Sequence, residues 1–284
     1  MSEAVRAGST RERLRAVGAL WLCWLAVYLA SELVLTVLAH RGQGLAERLG
    51  RVADSTVAAV SMPLLHGLGA ADVPLTVQIG LVNALGLLLC FAIMPLLRSG
   101  GDPKPRGRFA ERLDRLMWTH PALKWTNYVA YLFWPVPTFR RTPTLRLKSV
   151  CAFGVLPFLL PVLLGLQAGF AGSGFLEARL QHPIAVVFVG LALVLPHGLI
   201  ELTALFVPIA ALLEYYRAVR PLLVAGDVDG VSAALAQHGS WKIVVRWLPA
   251  CLVAIALAAA IEANLTLSFA EALGQALGVG HVGY

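Results

Sequence analysis

Apolar positions along this chain gather in five blocks, 16–39, 74–97, 149–170, 184–216 and 243–263, and most of the charge falls between them. A helix needs about 20 apolar residues to cross a hydrocarbon core about 30 Å thick. The pattern therefore predicts an all-α, polytopic integral membrane bundle with about five transmembrane helices, forming a single membrane domain over 1–284. The fourth block is the longest, and Pro196 lies inside it. Proline removes a backbone donor and disfavours helix at the residue before it. The fourth helix is thus expected to be broken or kinked near Pro196, with Gly198 part of the break.

Composition supports this reading. The chain has 284 residues, of which 58% are hydrophobic and only 14% charged, against about 25% charged in a typical soluble domain. The first block is longer than a signal-peptide core and lacks a small-residue cleavage site, so it reads as a retained span. Trp21, Trp24 and Tyr28 near its start suit an interfacial position. The residues from 40 to 73 read as a short amphipathic surface helix followed by a turn. Cys23, Cys90, Cys151 and Cys251 lie in or beside spans and read as small buried hydrophobes.

The net charge of +7 is distributed unevenly. With five spans and the N-terminus inside, 19 of the 23 Lys and Arg residues fall on the inner side and four on the outer, Arg179 among the latter. This predicts a cytoplasmic N-terminus and an external C-terminus. The basic segment 98–148 is expected in the cytoplasm, with an amphipathic helix at 108–117 and an aromatic belt at 118–134. Its partner would be an anionic lipid leaflet, through 104–148, rather than nucleic acid. Farther on, Asp227-Val228-Asp229-Gly230 reads as a helix-capping turn.

The candidate chemistry lies inside the spans. His197 and Glu201 are four residues apart, on one face of a helix. Glu262 closes the fifth block and Glu32 is the one acid of the first. Ionisable side chains at membrane depth cost at least about 2.5 kcal/mol, so His197, Glu201, Glu262 and Glu32 are the expected intramembrane polar cluster. Three roles follow from the residues: a polar clasp fixing helix packing, the lining of a permease-like cavity, or two metal ligands of an intramembrane hydrolase. The last lacks the His-Glu-x-x-His pattern of metalloproteases, and His182 is too far along the chain to serve as a second histidine. No catalytic residue, metal or cofactor is expected, and no Gly-x-x-x-x-Gly-Lys nucleotide motif is present.

The run Leu195-Pro196-His197-Gly198-Leu199-Ile200-Glu201-Leu202, followed by Ala204 and Ile209-Ala210-Ala211, resembles the Pro-His-Gly-x-x-Glu signature of the stage II sporulation protein M family. Ala260-Ile261-Glu262-Ala263-Asn264 resembles the family's closing segment, and Gly165 and Gly169 fit its glycine-rich third helix. The resemblance covers roughly 151–267. It implies a non-enzymatic inner-membrane scaffold or assembly component working with other membrane or envelope proteins, with further copies of the chain as one option and a permease-like subunit as the alternative.

Overall fold

The computed structural model describes residues 10–41, 73–100, 156–171, 175–227, 229–231, 233–234 and 241–279, with single residues or pairs at 44–45, 48, 51–52, 67 and 112. The amphipathic helices expected within 40–73 and 108–117, and the aromatic belt, lie outside these residues. All the regular elements described are helices: α1 (Thr10–Arg41), α2 (Leu75–Gly100), α3 (Leu156–Ala171), α4 (Leu176–Gln181), α5 (Pro183–Ala225), α6 (Trp241–Ile261), a π turn (Glu262–Thr266) and α7 (Leu267–Ala276). Four helical stretches, Arg11–Arg41, Leu75–Ile93, Pro183–Leu222 and Val244–Ala276, are long and apolar enough to cross a membrane. The chain is an all-helical, multi-pass membrane protein. The remaining expected span, at 149–170, is described only as the 16-residue α3, which amounts to about 24 Å.

Two expectations are corrected. Of the break or kink expected near Pro196, the break does not occur: α5 is helical without interruption for 43 residues, about 65 Å of helix. Proline within a helix costs one hydrogen bond and crowds one carbonyl. A break in hydrocarbon would instead orphan the amides and carbonyls of two helix ends, with no water to receive them. The unbroken helix loses less, and Gly198 is simply a buried helical residue. The fifth span also does not end at 263. It passes through the π turn and continues to Ala276, which moves Glu262 from the end of an apolar helix to its interior.

Two charged side chains are sheltered while many large apolar ones are exposed. Glu32 is 1% exposed and Arg179 0%, whereas Leu33 is 65% exposed and Val253 70%. In water such a surface would be unfavourable; facing acyl chains it is neutral, and the polar groups are the ones that need shelter.

The chain divides into two compact units. One comprises 1–18, 88–159 and 205–250. Its buried residues include Val17, Phe91, Phe206, Ile209, Tyr215 and Val219. Within it Arg13 and Glu214 form a bidentate ion pair, Nε to Oε1 and Nη2 to Oε2, both 3.1 Å. Because both side chains keep some solvent contact, Arg13→Ala should cost only about 1 kcal/mol. The thermal midpoint of the detergent-solubilised protein would fall by a few degrees, and a drop as large as that of a core substitution would contradict this. α5 ends in a Schellman arrangement: Gly226 takes φ 74° and the Asp227 amide donates to the Leu222 carbonyl at 3.0 Å. Asp227 then caps the next turn, its Oδ1 accepting from the Gly230 amide at 2.8 Å, as the sequence predicts.

The other unit comprises 19–87, 160–204 and 251–284. Here α1 and α3 meet through glycines. A Cβ on Gly165 would stand 2.8 Å from the Trp24 carbonyl oxygen, and one on Gly169 would overlap Ser31. This is the small-xxx-small close approach expected of the pair. The aromatic residues of α1 pack within the protein. Trp24 and Tyr28 are buried and stacked, with ring centroids 5.6 Å apart, and Trp21 packs edge-on against Trp24. Trp21 donates its indole N–H to Thr203 of α5 at 3.0 Å. A buried aromatic stack fills a volume that lipid would fill less densely.

Candidate functional site

α5 carries His197 and Glu201 one turn apart, and the π turn carries Glu262 and Thr266 at its two ends. The two sets face each other within one unit. A ligand-capable atom from each of His197, Glu201 and Glu262 lies within 4.8 Å of the others, and all three residues are half-buried. Three of the four acids and bases expected to cluster are thus brought together, Glu262 from more than 60 positions along the chain from the other two.

Thr266 completes the group and was not foreseen. His197 Nδ1 lies 3.2 Å from Thr266 Oγ1, and that hydroxyl lies 3.4 Å from the Ile261 carbonyl. The threonine has one proton and two neighbours that can take it. When it donates to the carbonyl, its oxygen accepts from Nδ1–H and Nε2 keeps the lone pair. When it donates to Nδ1, Nε2 carries the proton. The π turn makes this geometry available. One extra residue per turn loosens the backbone ladder there, and Asn264 Nδ2 donates to the Ala260 carbonyl at 2.8 Å. Single π turns inside α-helices recur at functional sites.

No Lys or Arg among the described residues pairs with Glu201 or Glu262; the basic side chains of the described ion pairs go to Glu32 and Glu214. Two ionised carboxylates no more than 4.8 Å apart would repel by about 3.5 kcal/mol at an effective dielectric constant of about 20. The pair therefore needs a proton or another cation between its members.

Glu32 does not join this cluster. Its carboxylate pairs with Arg179 Nη1, which also donates to the Glu32 carbonyl and to Thr36 Oγ1, both at 3.3 Å. Arg179, expected as an isolated external base, is completely buried. It belongs to α4, six residues long, which His182 joins to Pro183, the first residue of α5. Pro183 suits that place because a first-turn amide has no partner to lose. Alongside, Tyr28 donates its hydroxyl to the Val187 carbonyl at 3.2 Å. Gly190 leaves room on α5 for that hydroxyl and for the Glu32 carboxylate. A lone base and a lone acid, each within or beside an apolar block, were the signal for this pair; the net-charge count hid it by assigning Arg179 to a loop.

Cys23, Cys90 and Cys251 are free thiols, and Cys151 lies outside the described residues. In the comparisons with protein-family models, curated proteins and solved structures, nothing matches this chain.

Proposed function

We propose that this chain is a non-catalytic component of the bacterial cytoplasmic membrane, of the stage II sporulation protein M type, that assembles with other membrane or envelope proteins. The observation that carries the reading is the mutual engagement of the polar groups in its spans. His197 meets Thr266 across two helices, and Arg179 locks α4 onto α1. Buried polar contacts of this kind fix helix register in hydrocarbon, where apolar packing alone discriminates poorly. A bundle so clasped offers partners a fixed surface. The N-terminus is assigned to the cytoplasm by the excess of basic residues there, and the C-terminus to the outside.

The test is co-purification from native membranes. Wild-type protein should bring down a defined partner set, and His197→Ala and Glu262→Ala should each reduce its recovery several-fold while the chain still inserts and remains monodisperse. Full recovery of partners, with unchanged thermal stability in both variants, would remove the clasp from the argument.

A second reading is a permease-like subunit. It is favoured by the uncompensated carboxylates of Glu201 and Glu262, since intramembrane acids without basic partners mark ion and proton paths. Purified protein in liposomes should then support a flux that Glu201→Gln abolishes. A tight bilayer under proton and cation gradients counts against it.

A further inference from the structure

We infer that His197, Glu201 and Glu262 form a binding site for one divalent first-row transition metal ion, with Thr266 as the group that orients the histidine. The inference rests on the same cluster at membrane depth but not on the chain's having partners. Three observations carry it.

The first is the ligand set. One imidazole and two carboxylates, with ligand atoms within 4.8 Å of one another, are a donor combination used by zinc, manganese and iron. Ligands at about 2.1 Å from a tetrahedral ion stand about 3.4 Å apart, so side-chain movements of about 1 Å would close the site. Three protein ligands would leave a fourth position for water or a second molecule.

The second is charge. A neutral histidine and two carboxylates carry −2, no Lys or Arg of the described chain compensates them, and a divalent cation brings the total to zero. A single shared proton would leave −1 in an apolar span; a proton on each carboxyl would also bring the total to zero, and the metal titration separates the two cases. The third is the support of the ring. Metal-ligating histidines commonly have their other nitrogen hydrogen-bonded, which fixes tautomer and orientation. Thr266 Oγ1 stands 3.2 Å from Nδ1, and in accepting from it leaves the Nε2 lone pair for the ion. The sequence weighed against a metal because no second histidine lies near His197; the structure supplies a carboxylate from the π turn instead.

The experiment uses the full-length protein in detergent, with any affinity tag removed, stripped with chelator and titrated with Co²⁺ and then Zn²⁺. The expected result is saturable binding of one ion per chain, visible ligand-field absorption with Co²⁺, and displacement by Zn²⁺. Glu201→Gln and Glu262→Gln should each weaken binding by more than about 100-fold and Thr266→Val by about tenfold. His40→Gln, at an exposed position outside the cluster, should leave it unchanged. Absence of saturable binding, or binding unaltered in the two glutamine variants, overturns the site. Should those variants fail to purify, X-ray absorption of the zinc-loaded wild type decides. One imidazole in a nitrogen and oxygen shell supports the assignment, and sulfur ligation or a shell without imidazole overturns it.

Discussion

Arg179→Ala is expected to destabilise the protein by about 3–5 kcal/mol, the cost of stranding a buried charge when its partner is removed. Arg179 and Glu32 are 0% and 1% exposed, so no water can replace the lost contact. The guanidinium also satisfies the Glu32 carbonyl and the Thr36 hydroxyl, which would lose that donor. For a chain of this length the loss corresponds to about 10 °C in thermal midpoint. Glu32→Ala should be at least as harmful, since it strands the base. The double variant Glu32→Leu with Arg179→Met should recover most of the loss, because an apolar pair of similar volume needs no compensation. The check is a thermal series on detergent-solubilised single and double variants. If the double variant were less stable than both single variants, the pair would not be acting as an isolated charge couple.

Gly169→Leu is expected to be the next most disruptive change, costing well above the roughly 1–3 kcal/mol of ordinary overpacking. Even the Cβ of alanine there would overlap Ser31 and stand 3.2 Å from the Tyr28 carbonyl oxygen. Backbone atoms of α1 cannot rotate away, so α1 and α3 would have to separate. Gly169→Ala should fall within the 1–3 kcal/mol range, with Gly165→Ala similar, since its Cβ would meet the Trp24 carbonyl oxygen at 2.8 Å. Gly86→Ala, with nothing within 4 Å of the added carbon, should be neutral or slightly stabilising through helix propensity. Equal thermal midpoints for the Gly86 and Gly169 variants would show that the α1–α3 approach is looser than described.

The spans at 16–39 and 74–97 were legible because hydropathy over some twenty residues is additive and needs no partner. The tight glycines of α3 were legible for the same local reason. Other features were less readable. Pro196 looked like a break because its local penalty is certain, yet the competing cost of exposing helix ends to lipid is larger and is set by the medium. The end of the fifth span was misplaced because Glu262 and Asn264 look like the edge of an apolar block. Their side chains are instead accommodated inside it, Asn264 on its own helix and Glu262 beside α5. The burial of Trp24 and Tyr28 was not readable from the residues, since it needs a neighbouring helix at the right distance.

From its residues alone the chain was bound to be helical and to live in lipid, since its apolar length and charge deficit satisfy the backbone and the bilayer in no cheaper way. The sequence also singled out His197, Glu201, Glu262 and Glu32, because an ionisable group in a span is costly wherever the span ends up. Which of them meet was decided only by the tertiary structure. The packing of α5 against the π turn brought three of them and Thr266 together, and the six-residue α4 carried Arg179 inward to claim the fourth. Pairing energies depend on distance in three dimensions, and the separation of Glu32 from Arg179, 147 positions along the chain, holds no information about it.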